Sequence, residues 1–169
     1  MSLVAQRDGM IASDSSERRR GLTLRSPAFD DGCPIPRPHG YAAANESPPL
    51  RIGGVPPGTA SLALVMDDPD AVKPAGEVWD HWLVWNVAPE TDAIAAGETP
   101  PGAVEGTNSY GERGYGGPNP PDGEHTYRFL LYALDAPLDL DAGATKADLK
   151  RAIAGHVVAE TKLTESYAP

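Results

Sequence analysis

Two runs in this chain are apolar on both faces that an extended strand would present, which is a narrow specification. His81–Val87 (HWLVWNV) sets His81, Leu83, Trp85 and Val87 against Trp82, Val84 and Asn86. Thr126–Leu134 (TYRFLLYAL) is longer and aligns Tyr127, Phe129, Leu131 and Ala133 on one face. Strands with two apolar faces sit centrally in a sheet, covered on both sides. A third apolar run, Ala60–Met66 (ASLALVM), follows the turn Pro56-Pro57-Gly58 and reads as another strand. Leu22–Arg25 and Leu50–Ile52 are weaker strand candidates.

One helix is marked near the end. Thr145 and Asp148 make a capping-box-like start, and Leu149, Ile153 and Val157 form an i, i+4 stripe reaching about Lys162. On this helix His156 reads as a packing histidine. Gly and Pro, 18 of each, gather in the loops, above all over Glu98–Glu124. The expectation is a mainly β, antiparallel domain with a few accessory helices, one of them near the C-terminus. A length of 169 residues fits one such domain over 22–169, preceded by a flexible N-terminal tail over 1–21.

Charge narrows the function. The formal net charge is −10. Residues 1–25 hold five arginines against three acids, a balance of +2, so the remaining 144 residues carry −12. Phosphate-backbone affinity needs clustered Lys and Arg, so nucleic acid is not an expected partner, and Arg18-Arg19-Arg20 is too short a run to change that. No run is long and apolar enough for a signal peptide or a membrane span, which predicts a cytoplasmic protein without stable membrane insertion. An acidic domain with only four lysines suits a salt-rich, halophilic interior. The single Cys33 excludes an intramolecular disulfide and reads as a passive loop thiol.

Groups able to do chemistry gather at strand ends. Asp68 and Asp70 follow the run Ala60–Met66, His81 opens the second strand and His125 the third, with Tyr127 on the same face as His125. If the first strand runs antiparallel to both others, Asp68, His81 and His125 meet at one end of the sheet. The expected pocket holds a carboxylate, two imidazoles and a phenol, walled by Trp79 and floored by Gly117 and Pro118. It suits a small anion with donors of its own. The plainer reading is that Asp68 and Asp70 form turns around Pro69, with each histidine a satisfied polar residue. A metal site of Asp68, His81 and His125 lacks short-range ligand spacing, so neither metal nor cofactor is expected. Gly106-Thr107-Asn108-Ser109-Tyr110-Gly111 misses a nucleophile elbow by one residue, leaving Ser109 a loop hydroxyl.

At these residues the chain resembles the phosphatidylethanolamine-binding protein family, in particular its prokaryotic Raf-kinase-inhibitor-like branch. Five blocks match in order. They are Ser26-Pro27-Ala28-Phe29 with Gly32; Asn45 through Leu50; Asp68-Pro69-Asp70-Ala71 with His81-Trp82; Asn108-Ser109-Tyr110-Gly111 through Tyr115-Gly116-Gly117-Pro118; and Pro120 through Gly123 with His125-Thr126-Tyr127 and Tyr132-Ala133-Leu134. The resemblance implies an antiparallel β-sandwich with an anion cavity at one end, lined by Asp68, His81, Gly117, Pro118, His125 and Tyr127, with Asp70 and Trp79 close by. It further implies a non-catalytic protein binding phosphate, a carboxylate or a phospholipid head group, often as a homodimer. Two alternatives stand beside that: inhibition of a kinase or protease by surface contact through Glu98–Glu124, and weak hydrolysis with His81 or His125 as base. The chain departs from the family at Val72 (usually Pro), Thr126 (usually Arg), Asn119 (often Cys) and Glu165 (usually Gly). Arg113 is a candidate replacement for the missing cation.

Overall fold

The computed structural model describes residues 21–168, so the expected tail over 1–21 lies, up to residue 20, outside the described residues. Nine strands follow in order: β1 Thr23–Arg25, β2 Cys33–Pro34, β3 Leu50–Gly53, β4 Ser61–Asp68, β5 Trp79–Val87, β6 Ala93–Ile94, β7 Val104–Glu105, β8 His125–Leu134 and β9 Val157–Tyr167. Six form one sheet in the order β2-β9-β8-β4-β5-β7, and β1-β3-β6 form a smaller one. All pairings are antiparallel except β2 with β9. Every residue of β4 is buried, as the middle of a sheet covered on both faces requires.

Two cores account for the two apolar faces. On the inner face Leu62, Leu64, Met66, Trp82, Val84, Phe129 and Leu131 pack against Leu24, Leu50 and Ile52 of the small sheet. On the outer face Ala63, Val65, Leu83, Trp85 and Leu134 pack under Leu149 and Ile153 of the helix Lys146–Ile153. That helix begins with the expected capping box of Thr145 and Asp148. Its first residue is pinned to the sheet by ion pairs from Lys146 Nζ to Asp67 (3.0 Å) and to Asp80 (2.6 Å). Asp67 also accepts two hydrogen bonds from Arg128, so this carboxylate, 1% exposed, is compensated twice over.

The helix ends sooner than its stripe predicts. Gly155 takes a left-handed φ of 83°, and the chain turns into β9 instead of continuing to Lys162. Val157 therefore belongs to a strand and is exposed, and His156 pairs with Asp135 at 2.8 Å instead of packing under a helix. Eight helical residues already bury Leu149 and Ile153. The following β-branched stretch gains ten register partners along β8.

Strict alternation also fails in β5. Met66 pairs with Trp82 while Asp67 pairs with Asp80, so His81 is an extra residue, a bulge in the strand. The bulge turns His81 from the expected company of Leu83 and Trp85 to the inner side, edge-on to Tyr127 at 5.2 Å between ring centroids. A second shift, where Asn86 has a φ of 56°, brings Val87 back to the inner core beside Val84.

Candidate functional site

Because β4 runs antiparallel to both β5 and β8, the C-terminal end of β4 meets the N-terminal ends of its two neighbours. Asp68 closes β4, Trp79 opens β5 directly opposite it, and His125 opens β8. There the inner face opens into a cavity of about 180 Å³, bordered by Asp68, Trp79, His81, His125 and Tyr127 together with Ala71, Ala75, Tyr110 and Asn119-Pro120-Pro121.

Asp68 performs two tasks. Its Oδ1 accepts the Asp70 amide at 2.9 Å and caps the turn Pro69–Ala71, while Oδ2 lies 2.6 Å from His125 Nδ1. One oxygen makes the expected turn and the other faces His125 at the cavity. The other ring nitrogen of His125, Nε2, lies 2.6 Å from Asp122 Oδ1. Burial works against a charge on this ring, but the hydrogen bonds to Asp68 and Asp122 outweigh it and hold His125 above its ordinary pKa of 6.5. With a carboxyl oxygen 2.6 Å from each nitrogen, the protonated ring is the form that can donate to both.

His81 is the opposite case. Its Nδ1 donates to the Gly116 carbonyl at 2.6 Å, which fixes the tautomer and leaves Nε2 as an acceptor. Burial lowers its pKa to about 4, so it stays neutral. Tyr127 borders the cavity, and its hydroxyl is fully buried with no hydrogen-bond partner. Tyr110 donates to the Gly117 carbonyl at 2.8 Å and meets Trp79 and His81 edge-on. The residues bordering the cavity thus include a phenol with an uncommitted, fully buried hydroxyl, a carboxyl group and a neutral imidazole acceptor. Such a set suits a ligand that carries both acceptor oxygens and hydrogens of its own.

The remaining expected residues stand outside the cavity. Gly117 and Pro118 are scaffolding one layer back. The Gly117 amide donates to Asn45 Oδ1 at 2.7 Å, the Pro118 carbonyl accepts from the Tyr41 amide, and a Cβ on Gly117 would come within 2.1 Å of the His39 carbonyl oxygen. Asp70 accepts the Thr126 amide at 2.8 Å and ties the turn to β8. Arg113 borders a separate groove with Glu46 and Glu105, so it does not replace the cation lost at Thr126. Ser109 Oγ accepts the Asp80 amide, as a loop hydroxyl does. Cys33 is an exposed free thiol. Tyr110, Asp122, Asn119 and the Gly116 carbonyl were not expected at the site, since each comes from a loop whose path no strand period encodes. Among the described residues no three His, Cys, Asp or Glu converge as metal ligands, and no helix is long and apolar enough to cross a membrane.

Comparison with known proteins agrees with this architecture. The family model described as phosphatidylethanolamine-binding protein matches residues 25–168. A relative from Methanothermobacter thermautotrophicus, named UPF0098 protein, is 44% identical over 86% of this chain and 98% of its own length. Another from Mycobacterium tuberculosis, 44% identical over 86% of this chain and 72% of its own, carries a lipoprotein name, LppC. The crystal structure of E. coli YbcL, described as a member of the mammalian PEBP family, matches with a TM-score of 0.81 at 30% identity, covering 87% of this chain and 98% of that one.

Proposed function

The chain belongs to the phosphatidylethanolamine-binding protein family, and from that membership we propose that it is a non-catalytic binding protein whose cavity takes a small anionic or phosphorylated group. The observation that carries this reading is the fully buried, unpartnered hydroxyl of Tyr127, a residue that borders the cavity. An oxyanion oxygen gives that hydroxyl an acceptor. Hydrogens on the ligand, from an ammonium or a protonated oxygen, meet Asp68 and the acceptor nitrogen of His81. Phosphoethanolamine meets both requirements through its ammonium, and inorganic phosphate through its remaining P–OH. Hydrolysis fits less well, because the Asp68–His125 pair resembles a general base but has no free ring nitrogen to take a proton.

Ligand-dependent melting tests the proposal. Phosphoethanolamine at millimolar concentration should raise the melting temperature, since binding to the native state alone is stabilising. Tyr127→Phe should keep or slightly raise the ligand-free melting temperature, because it removes an unsatisfied buried hydroxyl, and should lose most of the ligand-induced rise. No rise with either ligand in the wild type would sink the reading.

A further inference from the structure

Strand β9 carries Leu163, Glu165 and Tyr167 along the buried inner face, so an ionisable side chain stands in a row of core residues. Glu165 is fully buried, and neither of its carboxyl oxygens has a hydrogen-bond partner. Directly across the strand pair is Tyr127, whose hydroxyl is likewise unpartnered. Leaving a buried polar group unsatisfied costs about 1–3 kcal/mol, so two on neighbouring strands call for an explanation. Tyr127 forms the cavity wall, which sets Glu165 one side chain behind it.

An isolated carboxylate at that depth would bear an uncompensated desolvation cost, so the neutral acid is the form that fits. Burial, reinforced by the charge of Asp68, pushes Glu165 up to about 9. A neutral carboxyl has a hydrogen to give, whereas a carboxylate only accepts.

We propose that Glu165 tunes anion binding through its charge: neutral behind Tyr127 it leaves the back of the cavity uncharged, and as a carboxylate it sets a negative charge there against an oxyanion. The inference rests on the anion-cavity reading and adds the residue that gates it. Tyr127 of β8 lies opposite Glu165, the charge of Asp68 at the end of β4 acts on it, and Tyr115 from the loop after β7 is near enough to be affected by its charge. Tyr167 neighbours it on β9, and Cys33 of β2 is its register partner with an exposed side chain. Burial raises Tyr115 and Tyr127 beyond the range in which Glu165 titrates. His125 also titrates, equally in wild type and variants, so a comparison between them isolates Glu165.

The experiment is calorimetric titration of inorganic phosphate into wild type, Glu165→Gln and Glu165→Leu from about pH 7.5 to about pH 10, over which phosphate stays mainly dianionic, with circular dichroism confirming each fold. Near pH 7.5, wild type and Glu165→Gln should bind alike, since neither side chain carries a charge there. Above the Glu165 titration the wild type should weaken by about tenfold per pH unit relative to Glu165→Gln. Glu165→Leu, equally uncharged, should follow Glu165→Gln across the whole range. Wild type and Glu165→Gln weakening in parallel would overturn the inference, as would a folded leucine variant that weakens with pH as wild type does. If the leucine variant does not fold, the two pH profiles decide alone. Absence of phosphate binding in every protein near pH 7.5 would instead overturn the anion-cavity reading and this inference with it.

Discussion

His125 lies 2.6 Å from a carboxylate oxygen on each side, an arrangement complete only for the imidazolium, since a neutral ring has a single N–H. Because the folded value is raised, the stability it contributes is fully present below the ordinary histidine pKa and is lost as pH rises through the folded one. Asp122→Asn should lower the His125 midpoint followed by NMR of the ring protons, and an unchanged midpoint would assign the whole shift to Asp68. Glu165 is also raised, from an ordinary 4.5 to about 9, so its contribution is present in acid and lost as pH climbs through that window. Glu165→Gln should therefore melt above wild type at neutral pH, the gap widening by up to ~1.4 kcal/mol per pH unit and levelling beyond about pH 9. A gap that narrows with rising pH would refute a buried neutral acid. Asp68, His81, His125 and Tyr127 were legible because polar groups at strand ends stand out from apolar runs. Glu165 was visible only as a departure from a family pattern. Its surroundings, Thr161-Lys162-Leu163-Thr164-Glu165-Ser166, are polar except for Leu163, and only the pairing with β8 turns alternate residues inward.

At the scale of elements, the three strong strands were recoverable because their apolar runs match buried strand lengths, whereas β9 was hidden under a helical spacing. Leu149, Ile153 and Val157 are four apart, and nothing in that spacing says the third is already beyond the helix. Gly155 supplies the missing signal, since its left-handed φ of 83° ends the helix and starts the return strand. Its surroundings are open, with no atom within 4 Å of an added Cβ, so Gly155→Ala tests the backbone conformation alone. We expect a loss of about 1–2 kcal/mol in chemical denaturation, the cost of holding a non-glycine residue in that region. A neutral substitution would mean the turn relaxes elsewhere. The bulge at His81 was illegible for a related reason: β5 is apolar on both faces, so a slip of one residue leaves the pattern as plausible as before. Only the pairing of Met66 with Trp82 and of Asp67 with Asp80 shows that His81 reaches the cavity as the extra residue.

For the whole molecule, the two-faced strands foretold the layering, with the small sheet over one side of the large sheet and the helix over the other. The charge foretold a conflict that the layering does not remove. A chain of formal charge −10 repels an approaching anion, and the cavity holds Asp68 while its nearest cation, His125, is already shared between two carboxylates. Attraction is therefore short-ranged and made of hydrogen bonds, while repulsion is long-ranged and can be screened. The two separate with ionic strength, because the screening length falls from ~10 Å at 0.1 M to ~3 Å at 1 M salt. The association rate of phosphoethanolamine, followed by the fluorescence of Trp79 in the cavity wall, should accordingly rise as salt is added. A basic site would show the reverse. If the rate falls instead, the field at the cavity mouth is positive, and the His125 imidazolium outweighs the acidic surface around it.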